Sequence, residues 1–461
     1  MSVEKRIDNG DIVTPSSVRE GSVAIDDGQI VAIGTKHNVP EAEQVIDAEG
    51  KIVLPGIVDP HVHIDEVPES QGRAGEMKTE TAAAALGGVT TFIDFAYQGG
   101  DLQFKDDQDL IDGINHKRSK NTESYVDYSL HGVLHRETPQ TFDEIELAVE
   151  EGVTSFKMFM SSSEMGVSNG FMFEAFEKIA EENAVAAVHT EDISICEARQ
   201  KQLKRAGKGD SRYFADSRPD FAEAMAAEDA VRAAVETGVK YYGVHTTCRK
   251  AAEVFDWFQD DYSNIRAETC THYTVLDEST HEEFGNQSVL KPPLRTPDDR
   301  EAMFEYLRNG TLSVVSTDHV TYHEEYKDTD DWWDSPFGAN TIQYSLPVFY
   351  ETAIQQRDFS WPFLVRVMCQ NPAQTFGLPQ KGTLDPGTDA DIVIFDPESG
   401  NEIDSENNAS NSTYSIYEGM HPSGSVEKVF VRGELVAENG NIVATEGYGD
   451  FIERDIPQWT T

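Results

Sequence analysis

The chain has 461 residues, which is enough for a large buried core and for two structural units. Its 83 acidic side chains outnumber its 37 lysines and arginines, and the resulting net charge of −46 argues against nucleic acid and anionic membranes as partners. No run approaches the roughly 18 apolar residues of a membrane span, and the first residues include no apolar segment typical of a signal peptide.

The acidic side chains are spread along the whole chain and are not gathered in one tail. Such a surface stays hydrated in concentrated salt, where counterions screen the repulsion between like charges, so we expect a halophilic protein. An ordinary solvated surface is the alternative. The four cysteines are far apart and include no Cys-x-x-Cys pair, which favours a reducing cytoplasm over disulfides or a thiolate metal site.

Both ends of the chain are rich in predicted β-strands. The first 56 residues contain short strands joined by Gly/Asp turns, such as the Asp-Asp-Gly turn within GSVAIDDGQIVAIG. A similar pattern returns near the other end, in ADIVIFD and VEKVFVRGELVAENGNIVA. We therefore predict one small composite β-sandwich built from residues 1–56 and 380–445, followed by a C-terminal tail at 446–461.

Residues 57–379 show a different alternation, in which short apolar strands are followed by helical patterns such as FEAFEKIAEENA and EDAVRAAVETG. Eight strand–helix pairs predict a (β/α)8 barrel, also called a TIM barrel, with insertions. The predicted fold class is therefore α/β, a barrel with a β-sandwich formed by both termini. The eight predicted strands end at His63, Phe95, Leu134, Met160, Thr190, Thr246, Cys270 and Asp318.

Unusual polar side chains stand at the C-terminal ends of these strands, the face on which this fold builds its active sites. His61 and His63 are two residues apart, so both point to the same side of one strand. Lys157 lies within the apolar sequence SFKMFM, where an unpaired ammonium is costly. Together with the polar ends of other strands, they predict a metal centre. The six candidate ligands are His61, His63, Lys157, His189, His245 and Asp318.

The residue types in this set indicate which metal ions they would bind. Imidazole and carboxylate ligands suit Zn²⁺, with Mn²⁺, Co²⁺ and Fe²⁺ as alternatives. Six ligands are too many for one tetrahedral zinc ion, and they suit two divalent ions that share a bridging ligand. An unmodified Lys157 that forms an ion pair with Asp318 is the alternative to a lysine at the metal centre.

Ordered motifs over nearly the whole chain resemble the cyclic amidohydrolases of the dihydropyrimidinase/hydantoinase group, whose neighbours are allantoinase and dihydroorotase. The resemblance implies that the His-x-His pair and Asp318 hold one metal ion, that His189 and His245 hold the other, and that Lys157 bridges them as a CO₂-derived carbamate. The motifs are VLPGIVDPHVH, SFKMFM, VHTE, GVHTT, ETCTHY, KPPLR, STDH and NPAQTFGLPQKGTLDPGTDADIVIFDP.

The same resemblance implies an enzyme that opens a cyclic amide or imide at a C–N bond. A hydroxide bridging the metals would attack the ring carbonyl carbon, while Asp318 takes its proton and delivers it to the leaving nitrogen. Dihydropyrimidinase or hydantoinase activity is the leading expectation, and allantoinase is the runner-up. A non-catalytic scaffold on the same fold is a third interpretation, against which the complete ligand set argues. The group commonly forms tetramers or dimers, so we expect a homo-oligomer.

The expected substrate contacts depart from the group at three positions. Ser162 replaces a tyrosine that usually holds the developing oxyanion, and Lys291 replaces a serine. A usual asparagine aligns with Phe337, or with Asn340 in a shifted register. Lys291 is either a partner for a substrate carboxylate or ureido group or a solvated loop lysine. Asp65 stands where dihydroorotases carry an arginine, which argues against that activity.

Overall fold

The computed structural model describes residues 2–66, 72–99 and 109–459. Parts of the predicted barrel, at 67–71 and 100–108, lie outside these ranges, as do the two ends of the chain. Two nine-stranded sheets organise the described residues. The strands are β1 (Val3–Thr14), β2 (Ser17–Asp26), β3 (Gln29–Gly34), β4 (Ala42–Asp47), β5 (Ile52–Pro55), β6 (Ile57–His63), β7 (Val89–Tyr97), β8 (Asp127–Val133), β9 (Ser155–Phe159), β10 (Val185–His189), β11 (Lys240–Gly243), β12 (Ile265–Cys270), β13 (Val314–Ser316), β14 (His319–Val320), β15 (Ile392–Asp396), β16 (Ser425–Val431), β17 (Glu434–Glu438) and β18 (Asn441–Ile442).

Helices connect the strands of the barrel and cover its outside. No helix within the described ranges has both the length and the apolar character needed to cross a membrane. The α-helices are α1 (Met77–Leu86), α2 (Leu110–Lys120), α3 (Pro139–Glu150), α4 (Asn169–Glu181), α5 (Ile193–Arg205), α6 (Phe214–Ser217), α7 (Asp220–Thr237), α8 (Arg249–Gln259), α9 (Thr271–Val275), α10 (Thr280–Phe284), α11 (Pro297–Asn309), α12 (Glu324–Lys327), α13 (Ser345–Phe349), α14 (Trp361–Val365) and α15 (Asn371–Phe376). Short π-helices cover Tyr350–Gln355 and Arg366–Gln370, and 3₁₀ turns cover Asn121–Glu123, Ser211–Tyr213, Gly285–Ser288, Trp332–Asp334, Ile342–Tyr344 and Ser405–Asn407.

The parallel sheet runs in chain order from β6 to β13 and closes on itself. Closure is possible because the last barrel strand is divided into two pieces. β13 pairs with β12, while β14, which begins after Thr317 and Asp318, pairs with β6. The structure therefore confirms the (β/α)8 barrel expected from the sequence, with a second sheet beside it.

Two barrel strands end two or three residues earlier than the sequence predicted. β11 stops at Gly243 and not at Thr246, and β13 stops at Ser316 and not at Asp318. The cause is local, because His245 has a φ of 37° and Asp318 a φ of 43°, values in the left-handed region that an extended strand excludes. Both side chains therefore leave the chain at a turn just past the strand.

The barrel strands are buried on both faces, which explains their nearly continuous apolar sequences. Every residue of β7, β8, β9 and β10 is buried. Outside them, the helices are bounded by local signals, as α11 illustrates. The Thr296 side chain accepts a hydrogen bond from the Asp299 backbone N–H, the Asp299 side chain accepts one in return, and Pro297 occupies the first turn.

The second sheet joins the two ends of the chain. Its order is β18-β17-β16-β15-β5-β1-β2-β3, and β4 also pairs with β1. The antiparallel pairing of β15 with β5 connects the C-terminal strands to the N-terminal ones. Ile7, Val23 and Ile392 belong to an apolar core that this sheet encloses separately from the barrel. We propose the predicted boundaries at 56/57, 379/380 and 445/446 as the domain limits.

Candidate active site

A cavity of about 210 Å³ opens at the C-terminal ends of the barrel strands. All six candidate ligands line this cavity, and Ser162, Lys291 and Phe337 line it with them. Asn340 does not reach it: this residue is buried, and its amide has no hydrogen-bond partner among the described residues. Two residues, Phe337 and Asn340, were candidates for the position of the group's usual asparagine. Only Phe337 lines the cavity.

Three of the candidate ligands form a compact group. The ligand atoms of His61, His63 and Asp318 all lie within 4.8 Å of one another. The Nε2 atoms of the two histidines are 3.3 and 3.4 Å from the same Asp318 carboxylate oxygen. His61 Nε2 is buried without a hydrogen-bond partner in the described part of the chain. This convergence of two imidazoles and a carboxylate fits a divalent metal ion.

His189, the last residue of β10, and His245, just past the end of the neighbouring strand β11, form a second group. His189 Nδ1 lies 3.0 Å from His245 Nε2, and the ring centroids are 4.2 Å apart. Burial lowers the pKa of His189 to about 4 and the pKa of His245 well below its usual value. Both imidazoles are therefore neutral at pH 7, the form in which histidine binds a metal ion.

Lys157 lies in the middle of β9 and is fully buried. Its Nζ has no hydrogen-bond or ion-pair partner within the described residues, so the alternative ion pair with Asp318 is not formed. The rings of Phe95 and Phe159 lie 5.5 and 5.3 Å away. Burial lowers the pKa of Lys157 to about 7. Such an orphaned, readily deprotonated amine fits a carbamate that cations would stabilise.

Glu268, on β12, accepts hydrogen bonds from two of the candidate ligands, His61 and His245. The His61 Nδ1–H donates to Glu268 Oε1 at 2.6 Å, and the backbone N–H of His245 donates to the same oxygen at 3.0 Å. The Tyr242 hydroxyl donates to the other oxygen at 2.7 Å. A carboxylate on the far side of a histidine fixes its tautomer and leaves Nε2 free for a metal ion.

Two further carboxylates support the remaining histidines of the group. The His63 Nδ1–H donates to Glu66 at 2.6 Å, and the His189 Nε2–H donates to Glu191 at 2.8 Å. Arg218 donates to Glu191 as well. The sequence analysis missed these acids, although Glu66 and Glu191 follow their histidines closely enough that spacing alone gave a signal.

The electrostatics around His63 and Asp318 favour a bound cation. Burial acts to raise the pKa of Asp318, but the adjacent histidines outweigh it and hold that pKa well below its usual range. Burial acts to lower the pKa of His63, but Glu66 and Asp318 outweigh it and raise that pKa to about 9. The two carboxylates thus stabilise positive charge at His63, whether a proton or a metal ion supplies it.

His272 is a buried cavity residue that the sequence analysis did not single out. It lies in α9, directly after β12, and both of its ring nitrogens lack a partner among the residues described. Burial lowers its pKa to about 4, so the ring is neutral and carries one N–H donor. Its position in ETCTHY, just after the end of a barrel strand, was the feature of the sequence that could have identified it as a site residue.

Convergent histidines, an aspartate and an orphaned lysine at the strand ends of a closed parallel barrel define a metal-dependent hydrolase site. Comparison with known proteins agrees, since the sequence profile of the Amidohydrolase family matches residues 52–436. The chain therefore belongs to the amidohydrolase family and is a hydrolase of amide-type C–N bonds.

Individual relatives match over nearly their whole length. The L-hydantoinase of Paenarthrobacter aurescens is 31% identical over 455 residues, covering 97% of each chain. The allantoinase of Salmonella choleraesuis (strain SC-B67) is 29% identical, covering 98% of this chain and 99% of the relative. The crystal structure of dihydropyrimidinase from Brevibacillus agri NCHU1002 superposes with a TM-score of 0.93 at 31% identity, covering 98% and 99% of the two chains.

Proposed function

We propose that this hydrolase opens a cyclic amide or imide ring at a C–N bond and uses two divalent metal ions, with zinc as the first candidate. Dihydropyrimidinase or hydantoinase activity is the leading candidate, and allantoinase activity is the second. The convergence of all six candidate ligands on one cavity carries the proposal. The full-length similarity to enzymes named for such rings supports it.

Each proposed metal position has its own set of side chains. His61, His63 and Asp318 would hold one ion, and His189 and His245 would hold the other. Lys157 would bridge them as a carbamate, formed when its neutral Nζ attacks CO₂ and releases a proton. When bound, the ions supply Lewis acidity and lower the pKa of water toward about 7.

Asp318 is the proposed proton carrier. Its low pKa keeps it ionised, so it can accept a proton from the attacking water. The ring nitrogen becomes basic as the C–N bond breaks, and Asp318 then returns the proton to it. One carboxylate oxygen of Asp318 lies 3.3 and 3.4 Å from His61 and His63, which would hold it beside the proposed metal position.

Ser162 and Phe337, two of the positions that depart from the group, are held by contacts with neighbouring residues of the cavity wall. Ser162 accepts hydrogen bonds through its Oγ from the backbone N–H groups of Glu164 and Met165, which ties the hydroxyl to its own turn. Phe337 stacks on Phe214 with the ring centroids 5.6 Å apart. We propose that these residues shape the space for the ring and that the oxyanion donor comes from a different residue.

We further propose a halophilic, cytoplasmic enzyme that forms dimers or tetramers. The net charge of −46 supports the first property, and four buried free cysteines support a reducing compartment. Exposed apolar side chains on the adjacent helices α7 and α8, including Met225 and Trp257, support self-association.

The proposal of a halophilic protein is tested by dialysis of the enzyme from multimolar to dilute KCl. We expect the enzyme to lose structure, and an unchanged stability would contradict halophily.

The test of function is ring opening by the purified enzyme in multimolar KCl with zinc or manganese and bicarbonate. We expect turnover of dihydrouracil or hydantoin by protein that holds two metal ions per chain. Turnover of allantoin alone would select the second candidate. A folded protein that binds no metal and opens none of dihydrouracil, hydantoin, allantoin or dihydroorotate would contradict the proposal and favour a non-catalytic scaffold.

A further inference from the structure

The cavity carries cationic side chains that the proposed ring opening does not use. Apart from the six candidate ligands and the neutral His272, the acidic and basic residues that line it are Glu66, Arg73 and Lys291. Glu66 already accepts hydrogen bonds from His63 and Arg73. The described part of the cavity wall therefore contains two cations and a single carboxylate that is already engaged.

Lys291 is not the solvated loop lysine that the sequence left open. It lines the cavity, and its Nζ lies 3.5 Å from the centroid of the Phe337 ring. No acceptor or acidic side chain among the described residues lies within bonding distance of this ammonium group. Burial, followed by the charge of Arg218, lowers the pKa of Lys291 to about 7. An anion placed beside Nζ would restore the charged form.

Arg73 presents a second, permanently charged group to the same cavity. Only 7% of its surface is exposed, and its guanidinium lies 4.8 Å from the centroid of the Tyr322 ring. Its Nη2 donates to Glu66 at 3.0 Å. Its Nε and Nη1 are buried without a partner in the described structure, as are His61 Nε2 and Lys157 Nζ at the proposed metal positions.

Arg73 is buried and Lys291 is partly buried, and cationic donors without acceptors in such positions indicate a ligand of opposite charge, since an unpaired charge withdrawn from water is strongly unfavourable. A carboxylate is the group that both guanidinium and ammonium ions bind well. It also fits a small cavity that must hold the ring and its charged substituent together. This chain has Asp65 at the position where dihydroorotases are expected to carry an arginine. Arg73 would supply a cationic group in its place.

We propose that the natural substrate is a cyclic ureide bearing a carboxylate, which Arg73 and Lys291 bind. The inference rests on the proposed ring opening for the reaction but not for the binding. It sets the enzyme apart from one built for neutral rings, because both cations would be left unpaired by an uncharged substituent.

The experiment compares hydantoin-5-acetate with hydantoin-5-acetamide, which has nearly the same shape and no charge. The metal-loaded wild-type enzyme should favour the acid in kcat/KM by at least about tenfold, mainly through KM. Arg73→Gln and Lys291→Met should each remove most of this preference, because kcat/KM should fall much more for the acid than for the amide. Arg73→Lys should keep part of it, and Arg212→Gln, at an exposed arginine paired with Asp210, should leave it unchanged.

Binding is measured separately by calorimetry, with N-carbamoylaspartate and N-carbamoylasparagine, the two ring-opened products. Preferential binding of the acid that disappears in Arg73→Gln or Lys291→Met supports the inference, even if neither ring is opened and the proposed reaction fails. If the wild type shows equal kcat/KM and equal binding affinity for acid and amide, the inference is overturned, while the proposed ring opening is unaffected. An equal loss for both compounds in both variants would also overturn it, because that result indicates a structural role.

Discussion

The floor and the wall of the cavity are built in different ways. The floor consists of side chains on or just past the paired strands, such as Lys157 in the middle of β9 and His189 at the end of β10. The wall consists of loop residues such as Ser162, Lys291 and Phe337. Floor positions are fixed by the parallel hydrogen bonding of their strands, whereas wall positions depend on contacts between loops.

The two regions also differ in how their polar groups are satisfied. Three carboxylates, Glu66, Glu191 and Glu268, orient the histidines of the floor. In the wall, the Lys291 ammonium faces an aromatic ring instead of an acid. The floor is thus organised for chemistry before a substrate arrives, while the wall contains groups that only a substrate would pair. Changes to the floor should therefore affect metal binding and rate, and changes to the wall should affect substrate choice.

The largest effect is expected for Lys157→Ala. Removing the side chain proposed to bridge the two metal positions should abolish turnover and reduce metal content below two ions per chain. Elemental analysis and ring-opening assays measure both quantities. Lys178→Ala, at an exposed lysine on α4, is the control and should behave as wild type. A Lys157→Ala protein with two ions would show that lysine is not a bridge.

Asp318→Asn should lower kcat by about 10²–10⁴-fold, because an amide cannot carry the proton between water and the leaving nitrogen. The fold should be retained, since the amide has nearly the same shape and Asp318 lies in a turn between β13 and β14. Circular dichroism and steady-state kinetics test the two statements. Near-normal kcat would assign the proton transfer to a different group.

Glu268→Gln should weaken metal affinity or activity by about 10–100-fold, because the His61 ring loses the carboxylate that fixes its tautomer. The variant keeps the volume and part of the hydrogen bonding of the side chain. Titration with a zinc chelator measures the affinity directly. An unchanged zinc affinity together with unchanged kcat would mean that Glu268 only packs beneath the site.

Ser162→Tyr tests the wall by introducing the hydroxyl donor that the resemblance to hydantoinases led us to expect at this position. We expect kcat for a neutral ring to rise by about tenfold or more, because a donor to the oxyanion acts mainly in the transition state. Metal content should stay at the wild-type value. Ser162→Ala is the matched control and should change kcat little. A loss of metal in Ser162→Tyr would show that wall and floor are not independent.

Thr296→Ala lies outside the cavity and should have the smallest effect on catalysis. It removes the capping hydrogen bond at the start of α11 and should lower the free energy of unfolding by about 1 kcal/mol. Chemical denaturation in high salt measures this value. Kinetic constants should match the wild type, and any change in them would link the helix to the active site.

The same contrast between floor and wall explains how much the sequence revealed. Strand ends were predictable because apolar runs of strand length recur, and a polar residue such as Lys157 or Asp318 stands out against them. The barrel and the gathering of the six candidate ligands on one face followed from the rule that parallel strands share an active-site edge. The left-handed turns at His245 and Asp318 were not predictable, because no glycine marks them.

The wall was less predictable because loop residues have no periodic pattern. Arg73 gave no signal, since its contact with Tyr322 joins segments far apart in the sequence and no periodic pattern links it to Glu66. Lys291 was noticed only as a departure from related enzymes, and its contact with Phe337 required the three-dimensional structure. His272 was overlooked although it directly follows a barrel strand.

The central claim is that the floor binds two metal ions around a carboxylated lysine. The most direct measurement is a crystal structure of enzyme grown with zinc and bicarbonate, with anomalous diffraction data collected at the zinc edge. The account predicts two anomalous peaks, one among His61, His63 and Asp318 and one between His189 and His245, with carbamate density on Lys157 between them. A single peak beside an unmodified Lys157 would contradict it.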